Sequence, residues 1–395
     1  MRWCDRWLGK PAAFLVWMLS PFLHCKTGIV VGEKIPDVRR IRVIKLFGMG
    51  SLLLGTPSFR ALRRAYPEAS FEIVTSATHL PFLQTLGIFD RIYGVSLRGI
   101  RGFLRDIQGL LCAPPPDISI NLEYYTWMAL VLQTIQRSRV RVAFSERQWL
   151  RLRLLDISVH FNHQRHIRGI FGEVAEKLGA RMSSYELSPI TVQKDDTEIA
   201  RESLSRNGFS FDRTLIAMHI GVSPLCPLRQ WPLEHFRELL GAILERTDAV
   251  VVLVGGPEEK DEADIFAAFF PGNQRLINLV GVLSIPSTLA LLRISSMLIT
   301  NDSGLLHWAV ALNTPTISFF GPETPRLYGP PLIARHRVFY SGRSCSPCMT
   351  TARAKFSKCR DNLCLKEISA AEVFEAVNDF ITRGKAGDGG LPPGL

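Results

Sequence analysis

The chain has 395 residues, of which 47% are hydrophobic and 21% charged, which indicates an ordered globular protein of two or three domains. The formal net charge of +11 favours anionic partners such as a nucleotide, a phosphorylated glycolipid or a membrane surface. Nucleic acid is disfavoured because no Lys/Arg tract with interleaved aromatic residues is present, and eight cysteines in so long a chain do not indicate a disulfide scaffold.

Residues 1–37 form an N-terminal segment with an apolar run at 11–23 that follows several basic residues. The run resembles a short signal sequence, but no small-residue cleavage site follows it. It is also too short to span a bilayer, which needs about 20 residues. We expect a helix that lies at a membrane interface or, equally, packs on its own domain.

Strands and helices alternate through residues 38–190. Strands are predicted at 41–47, 71–75, 90–94, 117–121 and 140–144, and helices at 52–66, 79–86, 125–135 and 166–178. This alternation predicts a doubly wound parallel sheet. Its glycine turn, Gly48-Met49-Gly50-Ser51, lacks the third glycine of the dinucleotide fingerprint. No acidic residue ends the second strand, which argues against a nicotinamide dehydrogenase.

Residues 181–212 are polar and rich in turn residues, and they contain the interdomain linker. The second domain, 191–383, repeats the α/β pattern. Its strands are predicted at 215–219, 249–254, 276–280, 297–300 and 316–320, and its helices at 234–245, 261–269, 287–292 and 305–312. Two such α/β halves imply a ligand cleft at the carboxyl ends of both sheets.

A last helix is predicted at 370–382, opened by a capping box of Ser369 and Glu372. We expect this helix to cross back to the first domain. Residues 384–395 are rich in glycine and proline and are expected to be disordered.

The stretch 297–325 contains a strand, a polar turn, a short helix, a second strand and a Gly-Pro loop. A helix that starts just beyond a parallel strand presents free N–H groups and the positive end of its dipole, which suits a diphosphate. His307 lies one turn into this helix and can face the same ligand. An ordinary βαβ corner with a capping Asp302 is the alternative.

Five motifs occur in order along the chain. They are Lys45-Leu-Phe-Gly-Met-Gly, Leu62-Arg-Arg-Ala-Tyr-Pro, Arg229-Gln-Trp-Pro, Gly255-Gly-Pro-Glu-Glu and Asp302-Ser-Gly-x-x-His-x-Ala-x-Ala with a following Phe320-Gly-x-x-x-Pro. Together they resemble family 9 of the glycosyltransferases, the heptosyltransferases of lipopolysaccharide core assembly and their relatives. The resemblance implies a GT-B fold, with two Rossmann-like domains facing a central cleft. Residues 38–190 would form the acceptor-side domain, and 191–383 the domain that binds the nucleotide-sugar donor. It also implies inverting transfer from a nucleotide sugar, most often ADP-heptose, with no metal or other cofactor required.

The resemblance also assigns donor-binding residues. Those that match the family's diphosphate loop and the loop after the first strand of the second domain are Ser303, Gly304, His307, Ser223 and Arg229. The family commonly has Lys at the last of these positions, and Arg keeps the charge and can bind phosphate bidentately. The alternative for Arg229 is a solvated cation in a loop. Glu259 is expected to bind ribose hydroxyls or to act only as a helix N-terminal acid, and Asp302 to orient the loop or cap the helix.

The first loop, with Gly48 and Gly50, departs from the family at the next position. The family usually has a general base, Asp, where this chain has Ser51, and serine cannot serve as a base unaided. Glu123, just after the fourth strand, is the candidate by topology; its alternative is a surface or helix-capping acid. A chain that keeps the donor site but turns over weakly, acting as a scaffold, is therefore the second functional hypothesis.

Two clusters complete the prediction. Residues 137–168 are rich in arginine and histidine and are expected to face an anionic acceptor or lipid headgroups, with a scattered solvated face as the alternative. A structural zinc site, or else reduced thiols or an occasional disulfide, is predicted for Cys345, Cys348, Cys359 and Cys364.

The sequence thus predicts a monomeric glycosyltransferase acting on a lipopolysaccharide-core or other envelope glycan. It would act in the cytoplasm or on the inner face of the cytoplasmic membrane.

Overall fold

The computed structural model describes residues 29–96, 99–124, 126–145, 154–224, 226–350 and 357–386, together with Pro11, Phe14 and Met18. The chain divides into two compact units, Met1–Ser188 and Pro189–Leu395. Each unit contains a six-stranded parallel sheet, which confirms the predicted doubly wound architecture. The cleft between the units stays a prediction. Among the described residues, no helix has both the length and the apolar character that crossing a bilayer requires.

The first unit has strand order β3-β2-β1-β4-β5-β6. The strands are β1 (Arg40–Ile44), β2 (Ser70–Ser76), β3 (Arg91–Val95), β4 (Ile118–Asn121), β5 (Val140–Phe144) and β6 (Ile157–Val159). The helices are α1 (Met49–Leu54), α2 (Thr56–Ala65), α3 (Leu80–Leu86), α4 (Ile100–Cys112), α5 (Trp127–Ile135) and α6 (Ile167–Glu176). The direction of winding reverses between β1 and β4, and sheets of this kind bind ligands at that point.

The second unit has strand order β12-β11-β10-β7-β8-β9, so its winding reverses between β7 and β10. The strands are β7 (Leu215–His219), β8 (Val250–Leu253), β9 (Leu276–Asn278), β10 (Met297–Asn301), β11 (Thr316–Phe320) and β12 (His336–Tyr340). The helices are α7 (Lys194–Arg206), α8 (Leu233–Arg246), α9 (Lys260–Ala267), α10 (Ile285–Ile294), α11 (Gly304–Ala311), α12 (Pro325–Tyr328), α13 (Leu363–Lys366) and α14 (Ala370–Ala386).

Several sequence predictions need correction. The single helix expected at 52–66 is two helices, α1 and α2. Pro57 has no N–H for the carbonyl of Leu53, and that carbonyl accepts the Thr56 hydroxyl at 2.7 Å instead. The predicted linker contains α7, which buries a narrow stripe of Thr197, Ala200 and Leu204. Sequence reasoning also missed α4, β6 and β12.

The C-terminal helix differs from its predicted end. α14 continues through residues 384–386, which the sequence assigned to a disordered tail, and 387–395 lie outside the described residues. α14 packs on α8 in the core of the second unit. Its crossing to the first domain stays a prediction. At the other end, Phe14 and Met18 have helical backbone and exposed side chains, and the remainder of 1–28 apart from Pro11 is outside the described residues.

His79 makes the stability of the first unit depend on pH. Its Nδ1 lies 2.8 Å from Thr75 Oγ1, and burial, with help from the charge of Lys45, lowers the pKa of His79 to about 4. An unfolded histidine titrates near about 6.5, so the unfolded chain takes up a proton first as the pH falls. We therefore expect stability to be lost below pH 6.5, by about 3 kcal/mol at pH 4.

Urea unfolding of the wild type and of His79→Gln at pH 7 and pH 4.5 measures this effect. The variant is expected to lose part of the pH dependence. Part will remain, because burial also lowers the pKa of His336 in the second unit to about 4. An identical pH dependence in the two proteins would contradict the assignment to His79.

Candidate functional site

The turn 301–304 joins β10 to α11 at the switch point of the second sheet. Ser303 is the N-cap residue of α11, yet its side chain makes no capping hydrogen bond to this fully described helix. Its hydroxyl lies instead 3.0 Å from Thr300 Oγ1. No side-chain oxygen of Ser303 therefore competes for the first N–H groups of α11, beginning with Gly304, and these groups with the helix dipole can bind an anion. His307 is buried one turn into the same helix.

Arg229 contacts the same turn. Its Nε lies 3.3 Å from Asp302 Oδ2, and its Nη2 donates to Glu323 Oε2 at 2.9 Å. Burial opposes the charge of Arg229, but the two carboxylates outweigh burial and raise its pKa, so the guanidinium stays a cation. With 17% of its side chain exposed and two ion pairs, Arg229 is not the solvated loop cation that was its alternative.

Asn301 holds the loop that carries Arg229. Its Oδ1 accepts from Trp231 N at 2.8 Å, and its Nδ2 donates to Ile220 O at 2.9 Å. Trp231 is fully buried, stacks on Phe319 with ring centroids 4.2 Å apart, and donates from Nε1 to a backbone carbonyl at 2.9 Å. The loop is therefore fixed to the 301–304 turn at both ends, which places Arg229 beside Asp302. Ser223 lies within this loop.

Glu259 lies at the end of the loop that follows β8. It accepts from Gly256 N at 2.8 Å and from His219, whose Nε2 is 3.1 Å from Oε1. A Cβ on Gly221 or Gly255 would collide with its carboxylate. Burial tends to raise the pKa of Glu259, but these hydrogen bonds outweigh burial and lower it. The result is an ionised carboxylate that can accept from hydroxyl groups.

Sequence reasoning missed three residues of this site. His219 ends β7, and Thr300 is the next-to-last residue of the adjacent strand β10. Nδ1 of His219 lies 3.1 Å from Oγ1 of Thr300. Glu323 lies in the Gly-Pro loop after β11 and is buried. The available signal was position: each lies at or just beyond the carboxyl end of a predicted strand, where side chains from different strands converge.

In the first unit, Ser51 and Glu123 flank one glycine turn. Gly48 has a φ of +80°, and Ser51 Oγ donates to its carbonyl at 2.8 Å. Glu123 Oε1 accepts from Phe47 N at 2.8 Å and Lys45 Nζ at 2.9 Å, and Glu123 is 1% exposed. It is not the surface acid that was its alternative. These contacts give Glu123 a positioning function for the turn, whereas its function as a base stays a prediction. Gly50 is buried within α1.

The arginine-rich stretch does not form one solvent-facing surface. Arg141 is fully buried, and burial lowers its pKa to about 10. Arg168 donates to Tyr185 O at 2.9 Å. The positions between 146 and 153 lie outside the described residues. The prediction of an anion-facing surface is therefore wrong for Arg141 and stays a prediction for the exposed members.

No disulfide joins the four described cysteines of the 345–364 segment, and Cys364 is the buried one of the four. Burial, followed by the neighbouring thiols, raises the pKa of the Cys364 thiol to about 11. Within the described parts of the chain, no three metal-binding side chains are arranged to hold an ion. Zinc at Cys345, Cys348, Cys359 and Cys364 stays a prediction.

Two six-stranded Rossmann-like sheets in tandem are the GT-B fold. Residues 117–357, more than half of the chain, match Glycosyltransferase family 9 (heptosyltransferase), and the chain belongs to this family. It is therefore a transferase.

Lipopolysaccharide heptosyltransferase 3 of Escherichia coli is 24% identical over 358 residues, which are 86% of this chain and 98% of the relative. The solved E. coli ADP-heptose lps heptosyltransferase II has a TM-score of 0.68 at 19% identity and covers 88% of this chain and 99% of its own. E. coli heptosyltransferase WaaC, solved with ADP-2-deoxy-2-fluoro heptose, has a TM-score of 0.61 at 19% identity. The match covers 86% of this chain and 99% of the WaaC chain.

Proposed function

We propose that this transferase moves a heptose from ADP-heptose to a lipopolysaccharide-core or other envelope glycan, with inversion and without a metal ion. The observation that carries the proposal is the contact of the Arg229 guanidinium with Asp302, at the uncapped start of α11. The names of the relatives support the choice of ADP-heptose as donor and lipopolysaccharide as acceptor.

In this proposal, the donor's diphosphate binds the first N–H groups of α11 and the guanidinium of Arg229. An acceptor hydroxyl oxygen attacks the anomeric carbon while the bond from that carbon to the diphosphate oxygen breaks. ADP leaves with the bonding electrons, and a general base takes the hydroxyl proton. Fixed donors beside the leaving oxygen stabilise its developing charge without reorganising. Glu259 accepts from the ribose hydroxyls.

Thermal unfolding with nucleotides tests the donor site. A ligand at 100 times its Kd that binds only the folded state stabilises it by about 2.7 kcal/mol. We expect ADP and ADP-heptose to raise the Tm, and UDP and GDP to raise it much less. A Tm that no nucleoside diphosphate changes would contradict the proposal, and a larger shift with UDP would reassign the donor base.

Glu123 is the proposed general base. We expect Glu123→Gln to lower kcat by about 10²-fold or more, the usual contribution of acid–base catalysis. ADP affinity should stay unchanged, because the donor residues belong to the other unit. Since Lys45 loses its ion-pair partner in this variant, circular dichroism must first show that it is folded. Full transfer activity in the folded variant would end the proposal.

A second functional hypothesis rests on Ser51, whose hydroxyl donates to Gly48 O where the family usually has a carboxylate. If the chain is a scaffold that binds donor but lost its base, Ser51→Asp should raise transfer well above the wild-type rate. If Glu123 is the base, Ser51→Asp should bring no gain. The assay uses ADP-heptose with a lipopolysaccharide-core acceptor, and the matched control Ser51→Asn has no carboxylate.

We further infer that the enzyme acts as a monomer on an anionic glycolipid acceptor, in the cytoplasm or at the inner face of the cytoplasmic membrane. The net charge of +11 supports attraction to such an acceptor. Sedimentation with and without anionic liposomes measures both the oligomeric state and the membrane association.

A further inference from the structure

A continuous chain of four polar side chains crosses the switch point between β7 and β10. Glu259 Oε1 and Oε2 lie 3.1 and 3.2 Å from His219 Nε2. His219 Nδ1 lies 3.1 Å from Thr300 Oγ1, which in turn lies 3.0 Å from Ser303 Oγ. The chain thus joins the residue placed at the nucleoside end of the donor to the residue placed at its diphosphate end.

The two middle members are inside the protein, and the two outer members reach its surface. His219 is 3% exposed and Thr300 is 0% exposed, so neither can contact a ligand directly. Glu259 and Ser303 are both partly exposed. A buried histidine and a buried threonine therefore connect two ligand-facing groups, and water has little access to break the connection.

In this row of side chains, the position of each hydrogen-bonding proton depends on the position of the next. An ionised Glu259 only accepts, so His219 carries a proton on Nε2, and in the neutral ring its Nδ1 then accepts the single hydroxyl proton of Thr300. The oxygen of Thr300 is left to accept from Ser303. If Nδ1 donates instead, the Thr300 proton turns to Ser303 or to Asn301 O, which is 3.1 Å away. In the first arrangement the Ser303 hydroxyl proton points to Thr300. In the second, with the Thr300 proton on Ser303 Oγ, the Ser303 proton can point to a ligand.

The conformation of Ser303 gives an independent indication that this row of four polar side chains has a function. Serine at an N-cap position ordinarily accepts a hydrogen bond from the second or third amide of its helix. Here the Ser303 side chain makes no such hydrogen bond and contacts Thr300 Oγ1 instead. Loss of a cap costs about 1 kcal/mol, so the alternative contact replaces a stabilising one.

We propose that His219 and Thr300 are positioning residues that couple the nucleoside and diphosphate ends of the donor site. The inference rests on the proposed donor site. Diphosphate oxygens only accept, so they favour the second arrangement, in which Ser303 accepts from Thr300 and donates to the ligand. At the other end of the same arrangement, Glu259 accepts from His219 Nε2 and from a nucleoside hydroxyl. The two ends then contribute to binding as a unit rather than separately.

A double-mutant cycle tests the coupling. ADP affinity is measured by calorimetry for the wild type, Glu259→Ala, Ser303→Ala and the double variant. Residues that act through one network show coupling of about 2- to 150-fold. We expect the double variant to lose at least about fivefold less affinity than the product of the single losses, because breaking either end already disrupts the chain.

The same cycle is repeated in a Thr300→Val background, with Thr300→Ser as the matched control that keeps the hydroxyl. The losses should become multiplicative with valine and stay coupled with serine. Multiplicative losses in the wild-type background would overturn the inference, and so would coupling that persists unchanged with valine. Should the valine variant not fold, the wild-type cycle still decides. If the wild type does not bind ADP, the proposed function fails instead.

Discussion

Replacing Arg229 by methionine is expected to lower kcat/KM for the donor by about 10²- to 10³-fold, as loss of one transition-state donor does. The variant lacks the guanidinium cation, so the carboxylates of Asp302 and Glu323 lose their ion-pair partner. Their negative charges then repel the diphosphate. Transfer kinetics and ADP affinity measure the loss. Wild-type ADP affinity in a folded Arg229→Met protein would contradict the assignment.

Two further variants separate binding from folding. Arg229→Lys keeps a positive charge and is expected to stay within about tenfold of wild type, since lysine binds phosphate as a point charge. Arg229→Met combined with Glu323→Gln removes one uncompensated carboxylate, so it should recover stability. It should not recover transfer. Recovery of both would show that Arg229 only balances charge in the fold.

Replacing Trp231 by alanine is expected to destabilise the second unit by about 3–5 kcal/mol, the usual cost of removing a large buried aromatic side chain. Trp231 is fully buried, stacks on Phe319, and fixes the loop that carries Arg229. Donor affinity should therefore fall together with stability. Urea unfolding followed by circular dichroism measures the first effect, and ADP calorimetry the second.

Trp231→Phe is the matched control. It keeps an aromatic ring against Phe319 and removes the Nε1 hydrogen bond, which is worth about 1 kcal/mol. Some packing is also lost, so we expect its destabilisation to lie well below that of alanine. If alanine and phenylalanine were equally destabilising, the stacking contact would not be the source of stability.

The sequence allowed a close prediction of the fold because the signals were local. Each strand of the second unit except β12 was a short apolar run followed by turn residues, as at 215–219 and 297–301. α7 was missed because few of its residues are apolar, and its burial depends on packing against α10. The break between α1 and α2 was missed although Pro57 marks it.

The site was only partly predictable, for a related reason. Ser303, Gly304 and Arg229 lie in motifs that the sequence displays. Strand order brings His219 and Glu323 to the site, because β7, β10 and β11 are neighbours in the sheet although β7 is far from the other two in sequence. Glu123 was placed near the first turn by topology, but its ion pair with Lys45 depends on side-chain geometry that no sequence pattern shows.

The central claim is that backbone amides at the start of α11 and the guanidinium of Arg229 hold the diphosphate without a divalent ion. Calorimetric titration of ADP and AMP in the presence of EDTA tests it most directly. We expect ADP to bind equally well with and without EDTA, and AMP at least about tenfold more weakly, since a hydrogen bond to a charged group contributes about 1.5–3 kcal/mol. Binding of ADP only when a divalent ion is added, or equal affinity for AMP, would contradict the claim.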